Sequence, residues 1–307
     1  MNYLILTPDG VGSTLLQRLI TTTLYLENHS VINTHELTNG LELKNGIAIK
    51  NFSLEYSQSL DEITNIIKIS DFDTSMVSRL AKYHLDTRKD DEKDCKRFYQ
   101  FLNKHFQKKI MCVRENIFEY AMSWSIRNKS GIVNIYDQHD RDKVSQVDKV
   151  DEDVFVKMCN DYIKYMAWID DNFPGVQKVS YESMVKDSDT VMQKITGHQS
   201  TFINKLGLKL SAIIMMEYNF LKKNNAGALL KKEEKKLLAK YRLVCKEMIN
   251  KNVIIGVPLK NTTLMEKKNQ IKNFDNCLDK FYNFAKNYNW IDQSKATYDF
   301  WNDRYIC

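Results

Sequence analysis

The residues best suited to chemistry come first in the chain. Thr7-Pro8-Asp9-Gly10-Val11-Gly12-Ser13-Thr14 follows a short apolar run, Tyr3 to Leu6. It leads into Leu15-Leu16-Gln17-Arg18-Leu19-Ile20, whose apolar residues fall at helical spacing. A strand, a glycine turn and a helix N-terminus together make an anion site, because unpaired backbone N–H groups and the positive end of the helix dipole converge on one point. Gly10, Val11 and Gly12 supply a tight backbone that can approach a ligand closely, and Ser13 and Thr14 add hydroxyls. The turn is not a Walker A box, since Gly12 stands where the lysine before the hydroxyl residue is required. Nor is it G-x-G-x-x-G, since Leu15 occupies the third glycine's place.

A second constellation lies near the middle of the chain. Lys108 to Arg114 reads as a buried parallel strand, followed by Glu115-Asn116 and a helix from Ile117 that bears Ser123, Trp124 and Arg127. An arginine ending a strand, with a serine some two and a half turns along the next helix, can grip one phosphate from two sides. Open α/β sheets bind ligands beyond the carboxyl ends of their strands, which would bring such an arginine and the glycine turn to one crevice. A plainer reading makes Arg114 a capping or ion-pair residue. A third segment, Val179-Ser180-Tyr181-Glu182-Ser183-Met184-Val185-Lys186-Asp187, is a strand breaking into a Tyr-Glu turn.

Taken together, these three segments resemble the PAPS-dependent sulfotransferase family over about residues 1 to 200. Residues 7–20 look like its 5′-phosphosulfate loop, residues 112–131 like its 3′-phosphate motif, and residues 179–189 like its strand leading into a Tyr-Glu turn. The resemblance implies transfer of a sulfuryl group from PAPS to a hydroxyl or amine, leaving PAP, with no metal. It implies that Gly10, Val11, Gly12, Ser13 and Thr14 hold the 5′-phosphosulfate, and Arg114 and Ser123 the 3′-phosphate. The family's loop carries a lysine or arginine where this chain has Gly10, so another cation must serve. Arg18, one turn beyond Thr14, is a candidate, as are Arg79 and Lys82. The Arg-to-Ser distance of nine positions exceeds the eight of many members. For the base that takes the acceptor's proton, His35 and Glu36 follow the second expected strand, and His84 is the next choice. The acceptor that the resemblance implies is a small molecule, glycan or lipid. The rival readings are a P-loop kinase-like phosphotransferase and a non-catalytic nucleotide-binding protein of the same fold.

The elements that must position these residues follow from periodicity. Helices are expected at 13–27, 60–69, 95–106, 117–126, 151–172 and 190–196, and strands at 3–6, 31–34, 108–114 and 176–181. Residues 127–150, poor in apolar side chains, read as a long loop. Strands alternating with helices predict a three-layer α/β fold, a mostly parallel sheet flanked by helices, P-loop NTPase-like under the resemblance. That core is expected over 1–200, with a helical C-terminal region at 201–307 that includes helices at 229–249 and 263–287. Bulk composition fits a globular chain of 307 residues with 43% hydrophobic and 27% charged residues. No apolar run approaches the roughly 20 residues of a membrane span, and no signal peptide is evident, so a cytoplasmic location is expected. The six cysteines show no finger or CxxC spacing, and a net charge of +6 without a concentrated basic patch argues against a nucleic-acid partner.

Overall fold

The computed structural model describes residues 1–8, 10–27, 31–38, 40–44, 46–51, 54, 57–70, 74–88, 90–132, 138–198 and 264–286. The helix expected at 229–249 lies outside them. By contacts the described chain forms two units, residues 1–113 with 166–198 and residues 114–165 with 264–286.

The first unit is built on a five-stranded sheet in the order β2 (Val31–Glu36), β5 (Ser75–Ala81), β1 (Tyr3–Thr7), β6 (Lys108–Val113), β7 (Gln177–Ser180). Every neighbouring pair is parallel. β1 is central, and its apolar run Tyr3-Leu4-Ile5-Leu6 is buried on both faces, as a strand covered by helices on each side must be. On one face Leu4, Leu6, Met76, Leu80 and Met111 pack with α2 (Leu60–Ile69), α4 (Glu92–His105) and the end of α7 (Glu152–Asn172) through Ile63, Ile67, Phe98, Leu102 and Ile169. α1 (Ser13–Leu26) and α9 (Ser188–Thr196) pack against each other, and α1 lies along β1, β2 and β5. The side chain of α1's Gln17 reaches the sheet itself, donating to the carbonyls of His35 and Val77. A separate antiparallel hairpin, β3 (Leu41–Lys44) and β4 (Ile47–Lys50), turns through Gly46 at φ 78°.

Local chemistry sets the helix boundaries. Ser59 and Glu62 form a reciprocal capping box at the start of α2. Asp91 caps α4 by accepting from Asp94 N–H at 2.7 Å. Ser75–Ala81, not recognised as a strand from sequence, forms β5 and passes directly into the short α3 (Lys82–Asp86). β7 ends at Ser180, and Tyr181 opens α8 (Tyr181–Lys186).

In the second unit, α5 (Ile117–Ser130) is capped by the Asn116 side chain and ends at Gly131 in the left-handed conformation. The expected long loop at 127–150 is corrected here. α5 runs on to Ser130, and Gln138–Ser145 is a further helix, α6, hidden by its scarcity of apolar residues. The single helix expected over 263–287 is instead two, α10 (Leu264–Gln270) and α11 (Phe274–Lys286). The break is held by Asn273, which accepts from Val150 N–H at 3.1 Å and donates to Val150 O at 3.0 Å. Phe118 centres an aromatic core with Phe155, Phe274 and Phe281, at ring separations of 5.1–5.5 Å. No helix among the described residues is long and apolar enough to cross a membrane.

Candidate functional site

The turn after β1 has the conformation its glycines predict. Gly10 and Gly12 sit at φ 81° and 88°, a region that costs an L-residue about 1–2 kcal/mol. The first intrahelical bond of α1 runs from Leu16 N–H to Gly12 O, so the N–H groups of Ser13, Thr14 and Leu15 have no acceptor within the helix. Two neighbours brace the turn. Val11 is fully buried and its carbonyl accepts from the Cys112 thiol of β6 at 3.4 Å. A Cβ placed on Gly12 would overlap Cδ2 of Tyr181, so the Tyr-Glu segment and the glycine turn, far apart in sequence, are in contact.

The cation beside this turn comes from the neighbouring strand. Arg79 of β5 donates through Nη1 to Thr14 Oγ1 at 2.6 Å and lies 3.4 Å from Ser13 Oγ. Its Nε donates to Glu36 Oε2 at 2.7 Å, and the other oxygen of Glu36 accepts from Ala81 N–H, also at 2.7 Å. The pair is largely shielded, with side-chain exposures of 16% for Arg79 and 2% for Glu36. Of the other two candidate cations, Arg18 is buried to 1% exposure inside α1, while Lys82 pairs with Asp86 and lies over the Trp168 ring. The donors gathered here are hydroxyls, helix N-terminal amides and a guanidinium, a set suited to phosphate or sulfate oxygens. They fit the phosphosulfate that the resemblance implies.

His35 and Glu36 do not follow β2 but form its end. A register shift between Asn33 and His35 puts His35 at φ 57°, the one non-glycine positive φ among the described residues. Its N–H donates to Asn33 Oδ1 and its carbonyl accepts from Gln17. His84 is half-buried in α3, at the carboxyl end of β5, with its ring edge-on to the exposed Tyr83 at 5.4 Å.

In the second unit Arg114 is buried and its backbone is doubly tied to one hydroxyl. Tyr162 Oη accepts from Arg114 N–H at 2.9 Å and donates to Arg114 O at 2.8 Å. Ser123 Oγ accepts from Lys267 Nζ at 2.7 Å, and the same ammonium lies 3.4 Å from Glu119. Lys267, 2% exposed, was missed from sequence. It sits 144 positions from Ser123, within the helix expected over 263–287, and nothing local marks it. Trp124 and Arg127 stack as a cation–π pair at 4.6 Å on the same helix.

No family model, curated protein or solved structure matches this chain. The functional reading therefore rests on its own residues.

Proposed function

We propose that the chain is a PAPS-dependent sulfotransferase with a P-loop NTPase-like fold. One observation carries the reading. The turn leaving the central strand of an all-parallel sheet carries two positive-φ glycines and is flanked by Ser13, Thr14 and a shielded arginine, a set of donors suited to an anion. The narrowing from an anion to PAPS comes from the resemblance of the three segments.

In this reading residues 10–14 hold the 5′-phosphosulfate through backbone N–H groups and two hydroxyls. Arg114 and Ser123 serve the 3′-phosphate, with Lys267 adding a second cation at Ser123. When bound, PAPS supplies an activated sulfuryl group, which leaves the 5′-phosphate oxygen for an acceptor hydroxyl or amine. The chain's own contribution is to hold the anion, exclude water and accept the acceptor's proton. His84 at the end of β5 and His35 at the strained end of β2 are the two imidazoles for that proton.

Calorimetry with PAP, AMP and ADP tests the reading. Binding of PAP that is lost when the 3′-phosphate is removed is expected, together with turnover of PAPS on a glycan, lipid or small-alcohol panel. Equal affinity for ADP would point instead to a kinase-like nucleotide site. Tight PAP binding without turnover would leave a binding protein.

A further inference from the structure

The family's loop lysine or arginine is missing from this chain's glycine turn, where Gly10 stands in its place, yet the turn is not without a cation. We propose that Arg79, projected from the neighbouring strand and aimed by Glu36, is the anion-binding cation of this turn, with Glu36 a positioning residue rather than a base. The proposal rests on the sulfotransferase reading for the identity of the nucleotide. The anion chemistry it assigns is that of a phosphate or sulfate held at residues 10–14.

The geometry is specific. Arg79 pairs across the sheet with Ile5 of β1 and with Glu36 of β2, so it stands one strand away from the glycine turn and near its level. A long side chain is then needed to reach Thr14 Oγ1, and arginine spans that gap at 2.6 Å. Glu36 fixes its direction. One carboxylate oxygen takes Nε of the guanidinium, and the other is anchored on the backbone N–H of Ala81, two residues beyond Arg79 on the same strand. A carboxylate committed at both oxygens and 2% exposed is badly placed to receive a proton from an acceptor. It is well placed to hold a planar guanidinium in one plane, which a lysine's flexible ammonium would not reproduce. Ser13 and Thr14 hydroxyls, which accept from Arg79 here, can each turn their own proton toward an anion while still accepting. Cation and hydroxyls thus form one polar surface around the N-terminus of α1.

A structural staple between β5 and α1 would use the same contacts, so the test separates anion binding from folding. Wild type, Arg79→Gln, Arg79→Lys and Glu36→Gln are titrated with PAP, adenosine 3′-monophosphate and inorganic pyrophosphate, and each variant is checked by thermal melting. The expected result is a loss of PAP and pyrophosphate affinity in Arg79→Gln of about tenfold to a hundredfold, the range of a charge-assisted hydrogen bond. Affinity for adenosine 3′-monophosphate, which brings no 5′ anion, should be unchanged. Arg79→Lys and Glu36→Gln should fall between, showing dependence on geometry as well as charge. Arg79→Gln binding PAP as wild type does overturns the proposal while leaving the sulfotransferase reading intact. Pyrophosphate binding that needs Arg79 in a protein indifferent to the 3′-phosphate does the reverse. A wild type that binds none of the three overturns both. Should Arg79→Gln not fold, Arg79→Lys and Glu36→Gln still decide, since wild-type affinity in both overturns a guanidinium that must be aimed by Glu36 to bind the anion.

Discussion

Replacing Gly12 with alanine should destabilise the protein by about 2–5 kcal/mol, from two separable causes. The backbone there is at φ 88°, where a side chain costs about 1–2 kcal/mol. The added methyl would also overlap Cδ2 of Tyr181 and approach its Cε2 to 3.2 Å and Cγ to 3.4 Å. Forcing a packed ring aside costs about 1–3 kcal/mol more. Gly46→Ala is the internal control. Its φ is 78°, and a Cβ there meets nothing within 4 Å, so it carries the backbone cost alone. Both replacements reduce the freedom of the unfolded chain by about the same 0.4–1 kcal/mol, which cancels when the two are compared. Urea unfolding of both variants, with the m-value watched for departure from two-state behaviour, measures the difference. Truncating the ring in Gly12→Ala/Tyr181→Ala should recover most of the steric share as a coupling energy. If Gly12→Ala costs no more than Gly46→Ala, or the coupling is zero, Tyr181 does not brace the turn.

Three shorter predictions follow from the packing. Burial holds the His105 imidazole below its usual pKa, and Asn2, whose amide oxygen accepts from Met76 N–H, donates to its neutral Nε2 at 3.1 Å. The unfolded chain therefore takes up this proton first, and stability should fall as pH drops from about 6.5 towards the lower folded value. His105→Gln should flatten that slope in urea unfolding at pH 7.5, 6.5 and 5.5. Phe118→Ala empties the centre of the aromatic core and should cost about 3–5 kcal/mol, read as faster hydrogen exchange in α5 and α11. Burial raises the thiols of Cys159 and of Cys277, the latter to about 11. Peptide mapping after alkylation at pH 8 should find the less buried Cys95 modified well before Cys112, Cys159 and Cys277.

What could be read from the sequence was local. α4, β6 and α7 announce themselves by apolar period and by caps, and the glycine turn by residue type. β5 was obscured because Ser75-Met76-Val77-Ser78-Arg79-Leu80-Ala81 carries an arginine in mid-run and flows without a break into Lys82–Leu85. An isolated arginine suggests an exposed position until Glu36, 43 positions away, is seen to shield it. The Tyr181 contact with Gly12 and the Lys267 contact with Ser123 are of the same kind, made by tertiary packing between segments that carry no mark of each other. Glu36 shows the opposite hazard. Its type and place at a strand end suggest a base, and nothing local shows that its two oxygens accept from Arg79 Nε and Ala81 N–H.

The strand order has a consequence for how the chain folds. β1 precedes both of its neighbours in the chain, and Leu4 waits for Ser78 on one side and Lys109 on the other. Neither partner can be reached by a hairpin, since parallel neighbours need long crossovers. Loop-closure entropy must be met before any of this pairing is rewarded, so folding should be slow for a chain of this size. Meanwhile the apolar Tyr3–Leu6 run is an unpaired strand open to other chains. The central position of the strand that leads into the glycine turn thus leaves its apolar run unpaired until residues more than seventy positions away have folded onto it.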